Sequence, residues 1–351
     1  MVVTQRQLRV LRRCWLQRLP RGARADRACA FSILIPMNTE HDDQYLNQSG
    51  VMNTGLHEIY WEDWGNKEAT PIMYLHGGPG GEFSQNYQKL FDPTKHRVIF
   101  HCQRGAGRSE PYASTKENTT QDLIADIEQL RAQLEIEKMY VTGGSWGSAL
   151  SLFYVIAHPQ RVINYVIWSV FTGSQFEVDF VNEGYPRHYF PEAWERFIAL
   201  VPVDKRATGD SVMRHYAEKI RSADEAEARL HADEWTLWEY SLCSIEYDKE
   251  ALESEIIGGN NLAVANLETH YFLHNSFVPE NYVLDNVERI KHIPCTAVQG
   301  RFDMCTPPAS IYELSKKYGE HMDLQWVNCG HLTSDQAMGD TLRKIFLEKF
   351  V

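Results

Sequence analysis

The chain has 351 residues, 43% of them hydrophobic and 23% charged, which is enough apolar material for one large domain or a domain carrying an insertion. Its net charge of −12 argues against nucleic acid or an anionic membrane surface as the main partner. Seven scattered cysteines without a C-x-x-C pair form neither a disulfide framework nor a zinc pattern, and suit a reducing compartment.

Residues 1–36 hold eight arginines, no lysine and a single acid, Asp26. That is the composition of an organelle transit peptide; it also reads as a basic tail, or as sequence upstream of a first methionine at Met37 or Met52. The apolar run from Ala28 to Met37 is shorter than the roughly 20 residues needed to span a bilayer, and no other segment reads as transmembrane. The expected setting is the cytoplasm, with a mitochondrial form if the leader targets. Residues 1–50 are set aside as leader and connecting segment.

From His57 onward short β runs alternate with helical stretches. His57–Trp61, Pro71–Leu75, Arg97–His101, Lys138–Thr142 and Val162–Trp168 read as strands. Leu123, Ile127, Leu130 and Leu134 fall on one face of a helix, with Thr119 or Thr120 as its cap. Between residues 172 and 285 the pattern turns helical and rich in Glu, Ala, Trp and Tyr. Strands resume at Cys295–Gln299 and Leu324–Val327. The expected architecture is α/β: a mostly parallel, doubly wound sheet (51–171 and 286–351) interrupted by a helical cap insertion (172–285).

Gly143-Gly144-Ser145-Trp146-Gly147 matches G-x-S-x-G, a serine on a tight strand-to-helix turn that lifts its hydroxyl above a sheet. A serine hydroxyl needs a base, and on such scaffolds the acid and then the histidine follow it in the chain. Asp303 and His331 each follow a predicted strand in that order; His292 precedes the acid, and His321 falls in a helix before the last strand. The expected roles are Ser145 as nucleophile, His331 as general base then acid, and Asp303 as the group that orients it. Backbone N–H groups of Trp146 and of Gly78, in His76-Gly77-Gly78-Pro79-Gly80-Gly81, are the expected oxyanion donors. No phosphate-loop, dinucleotide or H-E-x-x-H pattern is present, so no cofactor and no metal are expected. Glu239 shares a helical face with Trp235 and Trp238, and Glu268 lies beside Tyr271 and Phe272. The two acids read either as ordinary helix-surface carboxylates or as holders of a substrate ammonium. Cys305 and Cys329 flank Asp303 and His331, so thiol reagents are expected to inhibit, unless both are inert core thiols.

With these pieces in view the chain resembles the proline iminopeptidases, serine peptidases of the α/β-hydrolase fold. The likeness rests on EIYWEDWG (58–65), HGGPGG (76–81), QRGAGRS (103–109), GGSWGS (143–148), Trp235–Glu239, Glu268–Phe272 and GRFDMCTP (300–307). It implies Ser145, Asp303 and His331 as a triad, Glu239 and Glu268 as the pair that binds a free α-amine, and Phe171 and Phe272 as walls of a proline pocket. The implied partner is a short peptide with a free N-terminal proline. Two positions depart from the family's pattern: Cys102 stands where an Asp is usual, and Trp168 where an Arg is frequent. An esterase or lactonase on the same scaffold is the competing enzyme, and a non-catalytic ligand-binding relative is the competing class.

Overall fold

The computed structural model of the protein describes residues 43–351. The basic leader and the alternative start at Met37 lie outside the described residues. One sheet is built from β1 (Leu46–Asn53), β2 (Glu58–Gly65), β3 (Pro71–Leu75), β4 (Arg97–His101), β5 (Met139–Ser145), β6 (Val162–Val170), β7 (Cys295–Gly300) and β8 (Met322–Val327). The order across it is β1-β2-β4-β3-β5-β6-β7-β8. β2 runs antiparallel to both β1 and β4, and the remaining pairs are parallel.

Side chains alternate across this sheet, so each strand feeds two cores. Met73, Val141, Tyr165, Ile167 and Ala297 pack on one side with Leu123, Ile127 and Leu130 of α1 (Thr120–Gln133), and with the buried length of α2 (Trp146–Ala157). Ile72, Tyr74, Tyr140, Val166, Trp168 and Val298 pack on the other. Thr119 is the cap of α1: its hydroxyl accepts from the Asp122 N–H at 3.3 Å, and the Asp122 carboxylate accepts the Thr119 N–H at 2.9 Å.

Between β6 and β7 the chain forms α3 (Gln175–Asn182), α4 (Pro191–Ala199), α5 (Gly209–Ile220), α6 (Glu225–Ser241), α7 (Lys249–Ile256) and α8 (Leu262–Leu273). Thr208, Asp224 and Asp248 cap α5, α6 and α7 with their side-chain oxygens. Aromatic rings hold these helices together: Phe197 stacks on Tyr216 at 4.4 Å and lies 5.7 Å from Trp238, which meets Trp194 at 5.1 Å. The chain then closes the sheet with α9 (Pro308–Tyr318) on the first face and α10 (Gln336–Lys349) on the second.

The strand at Leu46–Asn53 reaches back across the boundary drawn at residue 50. Its sequence, LNQSGVMN, is polar and leaves Val51 58% exposed, so it carries no hydrophobic alternation to read. β5 runs through the glycines to Ser145, and β6 continues to Val170. His321 lies in a single 3₁₀ turn, Gly319–His321, before β8 and is exposed.

β3 leads outward to β4, and β5 then returns to the other side of β3, so the winding reverses between β3 and β5. Ligands bind beyond the carboxyl ends of strands at such a reversal. There the first turn of α2 presses against β3: a Cβ on Gly147 would lie 2.1 Å from the Leu75 carbonyl oxygen. Gly147→Ala is therefore expected to cost about 2 kcal/mol or more through overpacking against backbone that cannot yield. A lower denaturation midpoint with an unchanged slope checks this; an unaltered midpoint would show that α2 can slide away from β3.

Candidate active site

Ser145 ends β5 and precedes α2 with φ 56° and ψ −129°. Such a backbone costs a non-glycine residue about 1–3 kcal/mol and persists only where its surroundings impose it. Here the Ser148 hydroxyl donates to the Ser145 carbonyl at 2.6 Å and accepts the Phe171 N–H at 2.9 Å, tying the turn to the chain that leaves β6.

Asp303 follows β7 and is 1% exposed. One carboxylate oxygen accepts the backbone N–H groups of Cys305 (2.9 Å) and Thr306 (2.8 Å). The other accepts the Thr306 hydroxyl at 2.8 Å, the Gln299 amide at 3.2 Å and Nδ1 of His331 at 2.8 Å. A carboxylate can only accept, so the His331 proton sits on Nδ1 and leaves Nε2 as the basic nitrogen. His331 is held in place at both ends: its N–H donates to the Cys243 carbonyl at 2.8 Å, and its carbonyl accepts from the Ser169 hydroxyl at 2.6 Å. Burial alone would lower the imidazole pKa, but the charge and hydrogen bond of Asp303 outweigh it and push the value up to about 9. Asp303, Cys305 and His331 bring three donor atoms within 4.8 Å, yet five protein donors already occupy the Asp303 oxygens. The cluster is built as a hydrogen-bonded relay rather than a set of metal ligands.

Gly78 lies in the loop after β3, and a Cβ on its neighbour Gly77 would stand 3.4 Å from the Ser145 Cβ. This loop is fixed by Gln103. Its N–H donates to Nε2 of His76 at 2.9 Å and its amide to the His76 carbonyl at 2.8 Å; its side-chain oxygen accepts from the Trp146 indole at 2.9 Å. His76 must then be neutral with its proton on Nδ1, which donates to the Gly77 carbonyl; burial pushes its pKa down to about 4. Trp146 opens α2, where a backbone N–H has no partner within the helix and faces the positive end of its dipole.

Two cavities meet at Ser145. The larger, about 730 Å³, is lined by Gly78, Ser145, Glu239, Glu268 and His331 among others. The smaller, about 50 Å³, is a slot lined by Gly78, Ser145, Trp146, Phe171, Glu239, Glu268 and Phe272. Phe171 and Phe272 face each other edge to face at 5.7 Å. The two glutamates come from α6 and α8; Oε2 of Glu239 and Oε1 of Glu268 are buried with no N–H or hydroxyl donor among the described residues, and the two side chains hydrogen-bond to each other. Trp235 donates its indole N–H to the other Glu268 oxygen at 2.5 Å. Burial raises both carboxyl pKa values, and the Glu239 charge raises Glu268 further. An incoming cation would offer both carboxylates a donor and a compensating charge.

Each of the nine residues expected from the sequence lines one of these cavities except Asp303, which stands behind His331. Other contributors carried no signal in the sequence reading. Gln103 was only a letter in QRGAGRS. Glu177 lines the slot, is 1% exposed, and accepts from the N–H and hydroxyl groups of Thr172 and Ser174. Cys243, beside His331, lies 3.4 Å from Cys305, sulfur to sulfur. Burial pushes the Cys329 thiol up to about 12 and that of Cys305 well above its ordinary value, leaving both weak nucleophiles at neutral pH.

Residues 70–337 match the family described as alpha/beta hydrolase fold. The proline iminopeptidase of Neisseria gonorrhoeae is 39% identical over 289 residues, covering 82% of this chain and 91% of that one. Its counterpart in Arabidopsis thaliana is also 39% identical over 289 residues, covering 82% and 75%. Among solved structures, the proline iminopeptidase-related protein of Thermus thermophilus aligns with TM-score 0.55 at 19% identity, over 86% of this chain and 98% of that one. A metagenomic epoxide hydrolase aligns with TM-score 0.58 at 18% identity, over 87% and 97%. At these identities the structures speak for the fold alone.

The Asp303–His331 pair makes a direct electrostatic prediction. In the native protein the His331 imidazole should titrate near 9 by NMR. In Asp303→Asn the burial remains without the attraction, so the value should fall below the ordinary 6.5 or so. Because the folded value lies above the unfolded one, the pair's contribution to stability is full below about pH 6.5 and is lost as pH rises through about 9. An imidazole unmoved by Asp303→Asn would contradict this account.

Proposed function

The chain belongs to the proline iminopeptidase family, and from that premise we propose that it is a serine aminopeptidase releasing N-terminal proline from short peptides. The observation that carries this reading is the pair of buried glutamates, each with an oxygen that no N–H or hydroxyl donor reaches, at the junction of the slot and the larger cavity. An esterase or lactonase has no use for two desolvated carboxylates beside its nucleophile, and their burial is costly unless a cation arrives.

In this mechanism the prolyl ammonium sits beside Glu239 and Glu268, with the pyrrolidine ring against the wall formed by Phe171 and Phe272. The scissile carbonyl then lies at Ser145. His331, in its neutral form, removes the Ser145 proton as the oxygen attacks, and the N–H groups of Gly78 and Trp146 hold the resulting oxyanion. The imidazolium, stabilised by Asp303, protonates the departing amine, which leaves prolyl-Ser145. Water activated by His331 then hydrolyses the ester, releases proline and regenerates the hydroxyl. The tightly hydrogen-bonded Asp303 keeps the imidazole oriented through both halves.

The segment 172–285 acts as the cap that supplies the amine clamp, and 51–171 with 286–351 supply the catalytic core. Among the described residues no helix is long and apolar enough to cross a membrane, and the five described cysteines are free thiols. Both features fit an enzyme acting on small peptides in a reducing compartment.

Ser145→Ala should abolish turnover while leaving the circular dichroism spectrum unchanged; residual activity at the native level would remove the acyl-enzyme from the mechanism. Glu239→Gln and Glu268→Gln should each lower kcat/KM for a free-amine prolyl substrate by about tenfold to a hundredfold, the loss expected for a charged partner of a buried ion. Steady-state kinetics on the purified variants decides this, and unaltered constants would demote the pair to structural acids.

A further inference from the structure

We infer that the larger cavity contains an aromatic subsite, centred on Trp168, that selects the residue following the N-terminal proline. The inference rests on the aminopeptidase reading and extends it to the leaving group. With the ring in the slot and the ammonium beside the glutamates, the small slot has no room for the rest of the peptide. The chain beyond the scissile bond must enter the larger cavity, which shares Gly78, Ser145, Glu239 and Glu268 with the slot.

Trp168 lines this cavity next to Ser145 and Gly144. In the sheet Trp168 pairs with Gly144, the residue before the nucleophile. Its indole lies directly on that glycine: a Cβ on Gly144 would come within 2.1 Å of the indole nitrogen. Only glycine at 144 lets so large a ring lie flush beside Ser145. The ring continues into an aromatic wall, with Tyr74 at 6.4 Å from Trp168 and Tyr87 at 5.4 Å from Tyr74; Tyr240 lines the same cavity. Trp168 is 3% exposed and Tyr74 1%, so the wall is rigid and already dehydrated. A flat apolar side chain gains contact there without disturbing the site, whereas a carboxylate would lose water beside the two clamp acids.

The subsite predicts a ranking among prolyl dipeptide amides. Pro-Phe and Pro-Leu amides should exceed Pro-Gly amide in kcat/KM by about tenfold, and Pro-Asp amide should fall below it, as expected for burying one large apolar side chain. Trp168→Ala should bring the Pro-Phe to Pro-Gly ratio toward one, and Trp168→Phe should restore part of it. If Trp168→Ala does not fold, Tyr87→Ala, at the half-buried end of the wall, serves the same test by lowering the same ratio. A ratio that stays put in a folded Trp168→Ala or Tyr87→Ala protein, or a native enzyme indifferent to the second residue, overturns the subsite while leaving the aminopeptidase reading intact. Failure of the native enzyme on every one of these amides overturns that reading, and the subsite with it.

Discussion

Backbone contact between the first turn of α2 and the end of β3 sets the geometry on which every later feature depends. Gly143 and Gly147 both lie against the Leu75 carbonyl, where a Cβ would come within 2.6 and 2.1 Å. That approach brings Ser145 and the Gly77–Gly78 loop side by side at the point where the winding of the sheet reverses. The proposed nucleophile and oxyanion donors are thus set by main-chain packing, which leaves side chains free for recognition. Gln103 completes the arrangement by hydrogen-bonding to both the His76 loop and the Trp146 ring.

On this scaffold the chain places two kinds of buried acid with opposite treatment. Asp303 receives five hydrogen bonds, and its charge lifts the His331 pKa. Glu239 and Glu268 each keep an oxygen that no N–H or hydroxyl donor reaches and hydrogen-bond to each other, and their burial raises both pKa values. The first environment is filled by protein donors; the second has room for a cation. In the proposed mechanism the two carboxylate sites divide the labour, one serving the chemistry and one the recognition of a free amine.

Much of this was legible in the sequence because it depended on order and local pattern. The strand–helix alternation located seven of the eight strands, and the rule that acid and then histidine follow the serine selected Asp303 and His331 from many candidates. β1 was not legible, since an edge strand such as LNQSGVMN buries Met52 alone, too little to impose alternation. The glutamate pair was ambiguous for a different reason. Each acid taken alone looks like a helix-surface residue, and only the crossing of α6 and α8 buries both at one junction. Gln103 stood in a resembling segment without a role, and Glu177 was not singled out, because polar anchoring of loops leaves no periodicity in the chain.

The central claim is that the buried glutamates make hydrolysis conditional on a free α-amine. The most direct measurement compares cleavage of a chromogenic proline anilide bearing a free amine with its N-acetylated twin, using the native enzyme at equal concentration. The account predicts rapid release from the free-amine substrate and none above background from the blocked one, because acetylation removes the charge that the pair receives. Comparable cleavage of both would contradict it and leave a serine hydrolase whose acids serve the fold alone.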